Sequence, residues 1–241
     1  MKLEGQVALI TGASRGLGLE IARTLGAEGA SIACVARAGE ELDGAVAGLR
    51  GKGVDALATP ADVTSAEQLE SAVGAAVQKW GKLDIVVLNA GTWQGAPLTE
   101  TTEQMWDLLI DLNLKGAFLT LKYALPHLKK QRRGTVVGIA SLGAFVGQPG
   151  SAAYAASKWG LRGLLESVAL EVKRERVRVS IVAPHNINSA GRAIAPGSEE
   201  RDRNLEPADI ASLVAWICAA PDHVSLGTAT IWPLAAGIAM K

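Results

Sequence analysis

Seven short apolar runs constrain this chain more than any other feature. They fall at residues 7–11, 31–36, 54–58, 84–88, 135–140, 177–182 and 228–232, and helical stretches lie between them. The runs show little alternation of apolar and polar residues, which is the pattern of strands covered on both faces. Strands alternating with helices build a parallel sheet through right-handed crossovers. The predicted fold class is therefore α/β, a doubly wound (Rossmann) three-layer fold with a seven-stranded parallel sheet.

Helix-start signals agree with this count. Thr64 or Ser65 precedes a helix running through Val77, Thr101 or Thr102 precedes one running through Leu112, and Pro207 opens the last long helix. Residues 189–206 break the rhythm with glycine, proline and mixed charge. An irregular connection of that length reads as a substrate-covering lid within a single domain spanning 1–241.

The 241 residues carry 24 basic and 24 acidic side chains, so net charge gives no reason to bind nucleic acid or an anionic membrane. No window reaches the roughly 18 apolar residues that a membrane helix needs. The amino terminus runs almost at once into a strand and lacks the sections of a signal peptide. Cys34 and Cys218 sit in apolar stretches with no metal-ligand spacing, and read as buried, reduced core residues. These features point to a cytoplasmic protein with small-molecule partners, no metal, no nucleic acid and no membrane.

The first strand leads directly into Thr11-Gly12-Ala13-Ser14-Arg15-Gly16-Leu17-Gly18 and then a helix. Glycines permit a sharp turn and close approach of a pyrophosphate, and the free N–H groups at the start of the helix attract its charge. A glycine cluster alone marks many ordinary turns, but between strand and helix it signals a dinucleotide. The second strand ends Val35-Ala36-Arg37, with no carboxylate to hold a ribose 2′-hydroxyl. Arg37 and Arg15 offer two guanidinium groups for a 2′-phosphate, which favours NADP(H).

Tyr154 and Lys158 lie four apart in a helical stretch and so share one face. Alone, that pair describes any helix surface. Together with the glycine loop, Asp62-Val63, Asn89-Ala90-Gly91, Asn113 and Ser141, in this order over most of the chain, it resembles the short-chain dehydrogenase/reductase superfamily, including its NADP-preferring 3-oxoacyl-thioester and carbonyl reductases. The resemblance implies that Tyr154 exchanges a proton with the substrate oxygen. It implies that Lys158 lowers the phenol's pKa and bonds the nicotinamide ribose, that Ser141 orients the carbonyl, and that Asn113, through a helix distortion and a water contact, links the lysine to a proton relay. Asp62 would bond the adenine amino group and Val63 would contact its ring. Asn89, Ala90 and Gly91 would steady the central sheet and give the cofactor room, beside Gly12, Ser14, Arg15, Gly16, Leu17 and Gly18. Pro184, Ile187 and Ser189 would meet the nicotinamide end.

The chain departs from that pattern at two places. After the sixth strand the family has Pro-Gly, followed four residues after the glycine by threonine; here the chain reads Pro184-His185-Asn186-Ile187-Asn188-Ser189, with histidine in place of glycine. His185 adds a titratable ring where the pocket is expected, and with Trp93 and Leu142 it is a candidate for the substrate wall. The last strand ends Ile231-Trp232-Pro233-Leu234 instead of the aspartate and paired glycines common in the family. Apolar helix faces at 114–128 and 152–170 imply a homotetramer, or a homodimer. The expected activity is interconversion of a small carbonyl and its alcohol, a 3-oxoacyl thioester being one form of it. The alternative is a non-catalytic NADP-binding sensor, since fold alone never proves turnover.

Overall fold

A computed structural model describes residues 2–188 and 198–235. Its strands are β1 (Val7–Thr11), β2 (Ser31–Ala36), β3 (Ala56–Pro60), β4 (Ile85–Leu88), β5 (Gly134–Ile139), β6 (Val177–Pro184) and β7 (Thr228–Ile231). All pair in parallel in the order β3-β2-β1-β4-β5-β6-β7. The chain therefore starts in the middle, builds outward to β3, returns to β4 and builds outward again to β7. The crevice between β1 and β4, where the strand order reverses, is where ligands of open α/β sheets bind.

The described helices are α1 (Gly16–Ala27), α2 (Glu40–Arg50), α3 (Ala66–Trp80), α4 (Glu103–Ile110), α5 (Gly116–Gln131), α6 (Ala152–Glu171), α7 (Glu199–Asp202) and α8 (Pro207–Ala219). Strand residues alternate between two cores, which explains the lack of polar alternation. Val7 and Leu9 pack with Leu69 of α3, Leu119 of α5 and Leu165 of α6. Ala8 and Ile10 pack on the other face with Ile21 of α1, Leu42 of α2 and Ile210 of α8. Cys34 and Cys218 are free and buried as expected, and burial pushes each thiol up to about 12. Among the described residues no helix is long and apolar enough to cross a membrane.

The start signals act through their side chains. Ser65 Oγ accepts from the Gln68 N–H, and Thr102 Oγ1 from the Met105 N–H. Pro207 occupies the first turn of α8, where Glu206 and Asp209 form a capping box.

Two expectations shift. The third strand begins two residues late, because Val54 N donates to Leu49 O at the end of α2. That strand then runs through Pro60, a residue tolerated because β3 is an edge. The helix expected to end near Leu112 instead continues into α5 through a π-helical turn, Asp111–Lys115. The described part of the 189–206 segment is anchored to the end of β6: Leu205 N donates to Asn186 O and Asn188 N to Leu205 O, both at 2.8 Å. Residues 189–197, including Ser189, lie outside the described residues.

Candidate active site

The site begins at the carboxyl ends of β1 and β4. Thr11 Oγ1 donates to Val87 O (3.3 Å) and accepts the N–H groups of Asn89 and Ala90, each at 3.0 Å. Asn89 Nδ2 donates to Thr11 O (2.9 Å) and Gly12 O (3.3 Å), so the asparagine holds the glycine loop against β4. Gly12 has φ +68°, and a Cβ on Gly18 would stand 2.1 Å from Gly12 O and 2.5 Å from Asn89 Nδ2. Only glycine fits at that point. The following helix carries neither a side-chain cap nor an acidic residue in its first turn. Its N–H groups and positive dipole end are thus left to attract an anion, and this cradle fits a dinucleotide pyrophosphate.

Beyond the loop, the expected 2′-phosphate residues are exposed. Arg15 pairs with Glu41 at 3.4 Å with both side chains largely in solvent, a contact of little energetic weight. Arg37 is exposed at the tip of β2. Asp62 Oδ1 accepts from Thr64 N (2.8 Å) and Thr64 Oγ1 (2.7 Å), and these bonds, helped by the Arg37 charge, hold its carboxyl below the usual range. Val63 is buried in the core cluster beside Gly116.

A cleft of about 710 Å³ opens over this end of the sheet. It brings together Leu17, Asn89, Gly91, Ser141, Tyr154 and Lys158; the expected substrate wall of Trp93, Leu142 and His185 lines it too, as do Pro184 and Ile187. Gly12, Ser14, Arg15, Gly16, Gly18, Arg37, Asp62, Val63 and Ala90 do not line it, and belong to the loop and strand tips alongside.

Beneath the cleft lies a bonded polar layer. The π-helical turn sets Asn113 inside the protein, 1% exposed. Its Oδ1 accepts from Thr92 N (2.8 Å), and its Nδ2 donates to Thr92 O (3.0 Å) and Ser157 Oγ (2.9 Å). Ser157 Oγ in turn donates to Tyr154 O at 2.7 Å. π-Turns of this kind recur at functional sites because one extra residue re-aims a side chain. Gly91 makes room for this one: a Cβ there would stand 2.6 Å from Asn113 Oδ1. Thr11, Thr92 and Ser157 were not singled out from sequence. Each has one hydroxyl or one backbone amide to contribute, and no spacing rule marks them.

Lys158 is 6% exposed, and its Nζ donates to Ile139 O at 3.0 Å. Burial pulls its pKa down to about 8. Ser141 Oγ accepts from Gly143 N (3.1 Å) and bonds the Tyr154 phenol. The phenol departs from expectation: its pKa is raised by burial, and the Ser141 bond offsets this only in part. The lysine sits 5.9 Å from the phenol ring centroid.

A buried ammonium is a cost to the fold. Because the folded-state pKa lies below that of a free lysine, the cost is full at pH 7 and fades as pH rises past about 8. Lys158→Met is expected to raise unfolding free energy at pH 7 by on the order of 2 kcal/mol, measured by urea denaturation. A variant less stable than the parent would contradict this electrostatic account.

The model of the short chain dehydrogenase family matches residues 6–196. The 3-oxoacyl-[acyl-carrier-protein] reductase FabG of Staphylococcus aureus is 39% identical over 178 residues, 73% of this chain and 72% of that protein. A crystal structure of a metagenomic short-chain oxidoreductase in complex with NADP is similar at a TM-score of 0.85 and 35% identity, covering 97% of this chain and 99% of that one. Alcohol dehydrogenase from the archaeon Thermococcus sibiricus, complexed with 5-hydroxy-NADP, is similar at 0.86 and 29%, covering 95% and 97%. With a family match over well more than half of the chain and solved members similar along nearly all of it, this chain belongs to the short-chain dehydrogenase/reductase family of oxidoreductases.

Proposed function

We propose that the protein is an NADPH-dependent reductase of small carbonyl compounds, acting through Tyr154, Ser141 and Lys158. One observation carries this reading: the three side chains meet in a single cleft at the topological switch point, above the Asn113–Ser157 layer. Bound NADP(H) supplies the hydride, or accepts it in the reverse direction. Ser141 holds the substrate oxygen, and the Tyr154 phenol gives that oxygen its proton as negative charge builds there. The Lys158 ammonium then stabilises the phenolate left behind, and Asn113 positions the lysine's helix from below. The phenol is protonated at neutral pH, the form that donates; burial also makes it a weaker acid, and the Lys158 charge would have to offset this during transfer. Alcohol oxidation would need the phenolate first.

The cofactor would lie along Gly12, Ser14, Arg15, Gly16, Leu17 and Gly18. Asp62, Val63, Asn89, Ala90 and Gly91 would flank it, and Pro184, Ile187 and Ser189 would meet its nicotinamide end. Arg37 and Arg15 favour the 2′-phosphate. The two NADP complexes among the similar structures support that preference, and the FabG relative makes a 3-oxoacyl thioester one candidate substrate. The chain would act as one domain. Exposed Trp106, Phe118, Trp159 and Leu170 on α4, α5 and α6 support pairing into a homotetramer or homodimer.

Tyr154→Phe is expected to abolish NADPH oxidation by a panel of ketones, aldehydes and 3-oxoacyl thioesters while leaving NADPH binding within about twofold. Full turnover in that variant would refute the mechanism. NADPH binding with no turnover by the unsubstituted chain would favour the non-catalytic sensor. In the active enzyme, kcat/KM for NADPH, which reports the free protein, should fall as pH rises through about 8, because there the Lys158 charge is present below that value and lost above it. A profile flat to pH 10 would exclude a catalytic role for the ammonium. Arg37→Asp should lower the preference for NADPH over NADH by on the order of tenfold or more, and an unmoved ratio would remove Arg37 from the phosphate site.

A further inference from the structure

The cleft holds one polar ring that the proposed chemistry does not use. His185 follows β6 directly, and its backbone N–H donates to Ile231 O at 2.9 Å, which ties the residue to the last strand. Its half-buried ring shares the cleft with Ser141, Leu142 and Tyr154. The Nδ1 atom is shut away from solvent and has no hydrogen-bond partner.

That one atom restricts the whole ring. A proton on Nδ1 would bury an N–H with nothing to accept it, whereas an unprotonated Nδ1 orphans only a lone pair, the rarer and costlier case being the orphaned donor. An imidazolium would carry the same orphaned donor plus a charge, in a cleft that already contains Lys158. Burial lowers the histidine pKa in the same direction. The ring is therefore neutral at pH 7 with its proton on Nε2. With Nδ1 enclosed, the edge left to the cleft is the one that carries Nε2–H.

We propose that His185 is a specificity-determining residue whose Nε2–H donates to a second acceptor on the substrate, so that the enzyme prefers carbonyls bearing a neighbouring ester or ketone oxygen over plain ketones. This rests on the reading of the site as a carbonyl reductase. Ser141 and Tyr154 are committed to the reacting oxygen, and Trp93, Leu142 and Val146 offer apolar surface around it. Thr92, Gln148, Ser151 and Asn186 also line the cleft, but His185 alone among these residues has a second polar atom shut from solvent without a partner, which fixes the direction of its remaining N–H. A site built to bond such a group disfavours an analogue lacking it, because the donor is then left unpaired.

The test compares ethyl 3-oxobutanoate with 2-heptanone, a chain of the same length without the ester oxygens. The ratio of their kcat/KM values is measured in the unsubstituted enzyme, in His185→Phe, which keeps a ring without nitrogen, and in His185→Gln, which returns an N–H donor. Intrinsic reactivity of the two ketones cancels between variants. The ratio is expected to favour the ester, to fall about three- to tenfold in the Phe variant and to recover partly in the Gln variant. An equal ratio in the Phe variant and the parent, or a parent that prefers 2-heptanone, would overturn the role of His185 and leave the reductase reading intact. Failure of the parent to reduce any carbonyl of the wider panel would instead sink that reading, and the inference with it. Nitrogen-15 NMR supplies a readout that needs no turnover, since the chain has 3 histidines and the Phe variant assigns this one. An Nε2–H tautomer at pH 7 supports the proposal, and a proton on Nδ1 overturns it.

Discussion

The arrangement of this protein depends on holding one ammonium group almost wholly out of water at the floor of the cleft. Lys158 extends from α6 to the end of β5, its Nζ bonded to a single strand carbonyl and stripped of most of its hydration. Such a charge persists only where the surroundings are built for it. Gly91 brings its backbone close, since a side chain there would meet Asn113 Oδ1 at 2.6 Å and Lys158 Nζ at 3.7 Å. The π-helical turn gives up regular helix geometry to turn Asn113 inward, and Asn113 joins the Thr92 backbone to Ser157, one residue before the lysine. In a fold otherwise cored by aliphatic side chains, this polar layer costs stability and is concentrated at the one place where the strand order reverses.

The same reversal accounts for the other end of the site. Thr11 and Asn89 fasten β1 to β4 with five hydrogen bonds from two side chains, so the glycine loop is held by strands that are far apart in sequence. The candidate cofactor cradle and the proposed catalytic residues are therefore both fixed to the carboxyl end of the central strands. The surfaces that would choose the substrate, Trp93, Leu142 and His185, lie on connections that follow strands, where side chains can vary without disturbing the cores.

Much of this was legible in the sequence. Buried parallel strands must be apolar on both faces, so all seven were visible, and β3 was misplaced by two residues because Val54 is as apolar as a strand residue but closes α2. The glycine loop could be read because only glycine fits a Cβ position 2.1 Å from a carbonyl. Tyr154 and Lys158 share a helix face, yet their meaning came from the order of the other motifs. The π-helical turn was not legible from periodicity, since one inserted residue leaves no trace in an amphipathic pattern; the family resemblance of Asn113 alone pointed to a helix distortion there. Nor was the direction of the Tyr154 shift: a lysine four residues away in sequence invites a Coulomb argument, but how far burial opposes it depends on the cleft walls. Thr92 and Ser157 escaped for a similar reason, as they act through one amide and one hydroxyl that only the folded chain brings to Asn113.

The central claim is that the buried Lys158 amine is kept for the cofactor and the reaction, against its cost to the fold. Its most direct test is the proton uptake that accompanies NADPH binding at pH 8, measured calorimetrically in buffers of different ionisation enthalpy. At that pH the amine is about half protonated. A bound dinucleotide whose ribose hydroxyls and negative charge favour the ammonium would draw in up to about half a proton, and Lys158→Met would lack that uptake. Equal uptake in the two proteins would mean that Lys158 does not meet the cofactor, and would contradict the account.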